Sequence, residues 1–292
     1  VCARKSDAKG PCGAFCITRL TRSRRTRILK GGMTVSFSEQ VVDVRGCKIT
    51  LKRAGQGKKL LYLHGAGGAA MIQPFMTELA KDHEVWIPEH PGFGKSEEPA
   101  WLDNIHDLAY FYQDFMEQFD LKDVAMLGVS IGGWLTLEMA VRSTARMRSI
   151  SVVGPSGIYV SGKERGDLFL WSPEERVRNL FVDQSIADRM LAMPMTPELV
   201  DMNVKNQYTV ARLAWEPRLF DPHLHKWLHR IKVPTQIIWG DSDKIIPASY
   251  APEFQKLIAG ARVDVISKCG HLPPTEKPEE FVRVFRDFAA KH

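Results

Sequence analysis

Val124-Ala125-Met126-Leu127-Gly128-Val129-Ser130-Ile131-Gly132-Gly133 runs six apolar or small residues into a serine with a glycine two positions to either side. The first six residues have the unbroken apolar character of a strand covered on both faces. From Ile131 onward, apolar residues recur at helical spacing, which predicts a helix over 131–142. A serine at such a junction occupies a sharp strand-to-helix turn with its hydroxyl projecting. Small residues at the two flanking positions let strand and helix pass without collision, and Gly128 and Gly132 stand there. The unpaired N–H groups and dipole of the helix start face any negative charge that develops near Ser130. Ser130 is therefore the candidate nucleophile.

Working outward, β-rich runs are expected at 41–44, 47–52, 59–64, 84–88, 123–129, 148–153, 235–240 and 262–266. Leu60-Leu61-Tyr62-Leu63 and Gln236-Ile237-Ile238-Trp239 repeat the near-continuous apolar character of 124–127, the mark of central parallel strands buried on both sides. Helical patterns lie between them at about 71–81, 105–119, 131–142, 248–258 and 278–290. The alternation predicts an α/β fold, an eight-stranded and mostly parallel sheet flanked by helices. The rhythm breaks over 156–231, where helix signals occur without a convincing strand. Ser172-Pro173-Glu174-Glu175 and Thr196-Pro197-Glu198 are helix starts, each with a capping hydroxyl, a proline at the first helical position and acids in the first turn. This segment is expected to be an inserted helical cap. Its large apolar residues (Phe169, Leu170, Trp171, Phe181, Met190 and others) are expected chiefly to pack it onto the sheet domain.

Four segments, in chain order, resemble the α/β-hydrolase superfamily in its capped branch: His64-Gly65-Ala66-Gly67-Gly68, Pro91-Gly92-Phe93-Gly94-Lys95-Ser96, the turn at Ser130, and Trp239-Gly240-Asp241-Ser242-Asp243 to Pro247 followed by Gly270-His271. The resemblance implies a core of 37–155 and 232–292, a cap over 156–231 and a basic tail over 1–36. It also implies a Ser-Asp-His triad. A serine hydroxyl needs a base within reach and a third group to orient that base. His271, in the loop after the last strand, fills the base position. Asp243 fits the family spacing W-G-x-x-D-x-x-x-P, which leaves Asp241 to cap or brace the turn. The oxyanion hole is expected from the backbone N–H groups of Ile131 and Ala66, with Gly67 as the neighbouring alternative. His64 is expected to brace that loop, and 91–96 to shape a turn; Glu89 stands where the family often carries Asp.

The implied reaction is acyl transfer to water with no metal or organic cofactor, on a small or medium, largely apolar carboxylic ester. Carbon-carbon hydrolases of ring-cleavage diketones resemble the chain too, in cap placement, in the glycine-rich loop after His64 and in Cys269 beside Gly270-His271. They differ at Val129, commonly Asn in those enzymes, and at Leu272, commonly Trp, which favours the ester. A non-catalytic ligand-binding protein of the same fold is the reading from another class; a complete set of nucleophile, base and acid argues against it. A dehalogenase of this family would carry Asp at position 130.

The chain's 292 residues carry a net charge of +6, and the excess lies in the tail. Residues 1–32 hold nine basic residues and one acid, leaving 31 basic against 33 acidic residues in the body. A near-neutral body lacks the basic stripe of a nucleic-acid partner, so the expected partner is a small-molecule substrate. No stretch reaches the roughly 18 apolar residues of a membrane span. The tail is Arg-rich and acid-poor like an organelle transit peptide, though the plainer expectation is an unfolded extension upstream of Met33 in a cytoplasmic protein. Five cysteines without regular spacing, three of them in the tail, argue against a disulfide framework and for a reducing compartment. His223, His225 and His229 lack a supporting acid for a zinc site. Gly65, Gly67 and Gly68 fit neither phosphate-loop spacing.

Overall fold

The computed structural model describes residues 35–292; the expectations for 1–34 lie outside the described residues. Eight strands, β1 (Ser38–Val44), β2 (Cys47–Ala54), β3 (Lys58–Leu63), β4 (His83–Pro88), β5 (Val124–Val129), β6 (Met147–Val153), β7 (Thr235–Gly240) and β8 (Arg262–Ile266), form one sheet. Their order is β1-β2-β4-β3-β5-β6-β7-β8. β2 is antiparallel to both β1 and β4, and every pairing from β4 through β8 is parallel. β1 begins three residues earlier than the sequence suggests. Its hairpin to β2 turns at Arg45-Gly46, both with positive φ, the geometry whose twist matches paired antiparallel strands.

Both faces of the sheet are covered, and the alternation of side chains shows why the central strands need apolar residues throughout. Leu61, Leu63, Val124, Met126, Ile237 and Trp239 point into one core layer; Leu60, Tyr62, Ala125, Leu127, Val129 and Ile238 point into the other. The first layer packs against α2 (Ile105–Gln118), α3 (Ile131–Arg142) and α7 (Ala251–Leu257). The second packs against α1 (Pro74–Leu79) and α9 (Pro278–Ala289). α1 is shorter than the 71–81 expected, because Pro74 occupies the first turn and fixes the start. A short helix α8 (Pro273–Glu276) precedes α9. β8, at the edge, is only partly buried.

Between β6 and β7 the chain forms α4 (Pro173–Asn179), α5 (Gln184–Leu191), α6 (Pro197–Ala214) and two 3-10 turns, Leu224–Lys226 and Leu228–Arg230, with no strand. Ser172 and Thr196 cap α4 and α6 through their hydroxyls. α6 buries Asn206, Thr209, Val210, Leu213 and Ala214, one face of its C-terminal half. The expectation that the insert's large apolar residues chiefly pack it down does not hold. Leu170, Met190, Met193, Met195, Trp215 and Trp227 are all exposed, and α4 buries no residue at all. The insert meets the core instead through its smaller apolar residues, among them Ile158, Val210, Leu213, Leu224 and Leu228, and through polar anchors.

Phe281 of α9, fully buried against Phe75 of α1 with the two rings edge-on, supports the second layer. Phe281→Ala is expected to lower the unfolding free energy by about 3–5 kcal/mol, read from urea denaturation.

Candidate active site

β5 ends and α3 begins at a single residue. Ser130 has φ 56° and ψ −116°, a backbone conformation that costs a non-glycine residue about 1–3 kcal/mol and persists only where neighbours impose it. The imposing bonds are from Ser130 N–H to Val153 O of β6, 2.8 Å, and from Trp134 N–H to Ser130 O, 3.0 Å. The glycines leave no alternative. A Cβ at Gly128 would lie 2.3 Å from Gly132 O, and one at Gly132 would lie 2.1 Å from Leu63 O. Ser130 takes the N-cap position of α3, yet its hydroxyl makes no capping bond and so stays free for chemistry.

His271 and Asp243 come together. Asp243 Oδ2 accepts from His271 Nδ1 at 2.7 Å and from Trp239 Nε1 at 3.1 Å, while Oδ1 accepts from Ile245 N–H and Ile246 N–H at 2.8 and 3.0 Å. Both side chains are buried. An acceptor-only carboxylate on Nδ1 requires the proton there, which leaves Nε2 as the basic nitrogen. Gly154, with φ +47°, follows Val153, the acceptor of the Ser130 N–H, and lies against the pair: a Cβ there would stand 3.3 Å from Asp243 Oδ2 and from two atoms of the imidazole. Ser130 Oγ makes no hydrogen bond to the ring in this structure; such bonds commonly tighten only with substrate in place.

Asp241 has a different surrounding. It accepts from Ser242 Oγ, Ser267 Oγ, Lys268 N–H and Cys269 N–H, bracing the turn that leads from β8 to His271. Desolvation works to raise its pKa, but those hydrogen bonds outweigh it and bring the carboxyl from 3.8 down to about 2.

The loop after β3 carries the expected oxyanion donors. Gly65 approaches so closely that a Cβ on it would lie 3.3 Å from Ser130 Cβ. Gly68 N–H closes a turn onto Gly65 O at 3.1 Å, and among the described residues no bond engages the N–H of Ala66 or Gly67. Ile131, at the first turn of α3, has its N–H at a helix start where no intrahelical partner exists. The loop is fixed from below by polar groups. His90 N–H donates to His64 Nε2 at 2.9 Å, so the proton of His64 is on Nδ1, which donates to Gly65 O at 2.8 Å. His90 returns a bond from Nε2 to His64 O and accepts the Tyr112 hydroxyl at Nδ1. Burial lowers the pKa of both rings, keeping them neutral, so His64 braces the loop as a fixed dipole. Ala69 N–H donates to buried Glu89, and Lys52 Nζ donates to Ala69 O, both at 2.8 Å.

From above, α6 reaches the same loop. Asn206 donates from Nδ2 to Gly67 O at 3.2 Å and accepts Gly94 N–H at 2.8 Å. Thr209 Oγ1 donates to Gly92 O, and Lys205 Nζ to Gly94 O and Ser96 O. The 91–96 stretch is thus the seat of α6 as well as a turn. Neither this role of Asn206 nor the indole bond of Trp239 to Asp243 follows from local sequence; Asn206 and Gly67 stand 139 positions apart.

Among the described residues, His106, Glu138 and Asp221 place three ligand-type atoms within 4.8 Å of one another. Arg142 already occupies that cluster, 2.6 Å from Glu138 Oε2 and 2.7 Å from His106 Nδ1, so the donors face a guanidinium. His223, His225 and His229 are exposed on or beside the two consecutive 3-10 turns and share no helix face. Cys47 and Cys269 are buried free thiols; burial, aided by Glu97 and Asp43, pushes Cys47 up to about 11. No described helix is long and apolar enough to cross a membrane.

This sheet order, with a strained serine turn after its fifth strand and a helical insert after its sixth, defines an α/β hydrolase. The sequence model of the alpha/beta hydrolase family matches residues 60–284, and the chain belongs to that family. It is 24% identical over 268 residues to 2-hydroxy-6-oxo-2,4-heptadienoate hydrolase of Pseudomonas putida, covering 86% of this chain and 96% of that protein. It is 26% identical over 292 residues to the monoacylglycerol lipase ABHD6 of Rattus norvegicus, covering 89% and 83%. The solved 2-hydroxy-6-oxo-6-phenylhexa-2,4-dienoate hydrolase of Rhodococcus sp. strain RHA1 shares the fold, with a TM-score of 0.72 at 20% identity over 88% of this chain and 100% of that one.

Asp241 yields a pH-dependent prediction. A folded-state pKa held below the unfolded value contributes stability above that value, which is lost as pH falls through the folded pKa. Asp241→Asn is expected to lower the urea midpoint at pH 7, with the gap to wild type closing between pH 3.8 and about 2.

Proposed function

We propose that the protein is a serine hydrolase of carboxylic esters, with Ser130 as nucleophile, His271 as base and Asp243 as the acid that orients it. The observation that carries this is the free hydroxyl of Ser130 on its strained turn, whose N–H is bonded to Val153 O, next to the Gly154 that lies against a buried His271–Asp243 pair at 2.7 Å. Ser130 Oγ attacks the substrate carbonyl as its proton passes to His271 Nε2. Asp243 holds the resulting imidazolium, and the oxyanion takes the N–H groups of Ala66 and Ile131, where loss of one donor typically costs about a hundred- to a thousandfold in rate. His271 then protonates the departing alcohol and activates a water that frees the acyl group. The insert over 156–231 caps the site. The likeness to a monoacylglycerol lipase supports an ester.

Carbon-carbon hydrolysis of a ring-cleavage diketone is the second reading, favoured by the near full-length match to 2-hydroxy-6-oxo-2,4-heptadienoate hydrolase. Against it, Val129 and Leu272, the neighbours of Ser130 and His271, provide no polar side chain for a substrate hydroxyl or carboxylate.

Wild type and Ser130→Ala are to be compared on p-nitrophenyl esters of increasing acyl length, on a panel of ring-cleavage diketones and with a fluorophosphonate probe. Ester turnover and labelling in wild type are expected, with kcat falling by up to about a million-fold in the variant. Diketone turnover without ester turnover would move the assignment to carbon-carbon hydrolysis, and a folded protein inert to all three would be a ligand-binding relative.

A further inference from the structure

Glu276 is a buried carboxylate outside the proposed triad, and its bonds join two parts of the chain. Oε2 accepts Gly270 N–H at 2.6 Å, one residue before His271; Oε1 accepts Val182 N–H at 2.7 Å and Asp183 N–H at 2.6 Å, in the link between α4 and α5. The insert answers in the other direction, because His271 N–H donates to Leu180 O at 2.8 Å. The contact is too close for any side chain at position 270: a Cβ on Gly270 would lie 2.3 Å from Leu180 O and 3.0 Å from Phe181 Cα. Residues 180–183 and 270–271 are therefore stitched by four backbone N–H groups, three of them ending on one side chain.

We propose that Glu276 is a positioning residue through which residues 180–183 of the insert set the place of His271. Three N–H donors converge on the carboxylate, a stronger arrangement than neutral acceptors offer, and no other described side chain accepts from these N–H groups. The backbone of His271 thereby moves with the insert. Seating of the insert on substrate and presentation of the imidazole to Ser130 become one event, so that binding at the cap is expressed as rate. The inference rests on the serine hydrolase reading.

The test compares wild type, Glu276→Gln, Asp183→Ala, Asp183→Pro and the Glu276→Gln/Asp183→Pro and Glu276→Gln/Asp183→Ala pairs, reading kcat, KM and Tm on the best ester. Asp183 has φ −74°, which proline accepts; Asp183→Pro removes the N–H and the α5 cap together, whereas Asp183→Ala removes the cap alone. Glu276→Gln is expected to lower kcat by roughly ten- to a hundredfold with KM little changed, the effect of a misplaced catalytic group. Asp183→Pro is expected to fall about fivefold below Asp183→Ala in kcat, and that difference is expected to vanish in the Glu276→Gln background. A full kcat in Glu276→Gln, losses confined to KM, or a proline effect of equal size in both backgrounds would overturn the inference. Should Glu276→Gln not fold, the Asp183 pair decides alone: equal kcat overturns it, and a lower kcat for proline at matched Tm upholds it. A wild-type protein without turnover or labelling overturns the serine hydrolase reading, and this inference with it.

Discussion

The passage of the chain from β5 into α3 at Ser130 is the constraint on which the rest depends. A strand and a helix meeting within one residue bring backbone to within contact of backbone, and the positions two before and two after the serine have room for hydrogen alone. The strain this stores in Ser130 is offset by burial around it: β5 is covered along its whole length, and nearly every residue of α3 is inside the core. With the backbone at φ 56° the hydroxyl makes no cap on its own helix. The same packing that forbids side chains at Gly128 and Gly132 thus leaves the Ser130 hydroxyl free.

Around that turn the protein uses buried polar groups where packing alone could not fix a loop. The glycine-rich loop after β3 has little side chain to pack, so His64, His90, Glu89 and Lys52 hold its backbone from below and Asn206 from above. Burying such groups is costly unless each is satisfied, and fully satisfied networks rigidify what they touch. Here the rigid object is a turn whose remaining N–H groups at Ala66 and Gly67 bond to no acceptor among the described residues. Preorganised donors of this kind stabilise charge without reorganising when it appears.

How much of this is legible in the sequence follows from the range of each interaction. Strands β3, β5 and β7 stand out because burial on both faces demands apolar residues at every position, a local signal. The Ser130 turn is legible for a similar reason, since the glycines it needs are two residues away. The contact between His271 and Asp243 is legible only through family spacing, because 28 positions separate them. Glu276, Asn206 and Trp239 act through hydrogen bonds to backbone or to a distant carboxylate, which ask for one polar group at one place and leave no periodic trace. The insert misleads most: its apolar residues look like packing in one dimension, but α4 to α6 offer the core only a narrow face, and many of those side chains end exposed.

Ester and carbon-carbon hydrolysis by a serine both place a negative charge on a carbonyl oxygen, so the proposed triad and oxyanion loop discriminate neither. The difference lies in what leaves. An alkoxide needs only a proton, which His271 Nε2 carries after the attack in the proposed mechanism. A carbon leaving group departs as an enolate and needs polar contacts on the far side of the scissile bond as well as a proton delivered to carbon. Val129 and Leu272, beside Ser130 and His271 in sequence, are apolar and offer no such contact. α6 commits Lys205, Asn206 and Thr209 to the backbone at 67 and 92–96, and Arg212 to Glu98 and Asp103. With these groups already partnered, the face that α6 turns toward the core spends its polarity on holding the loops in place.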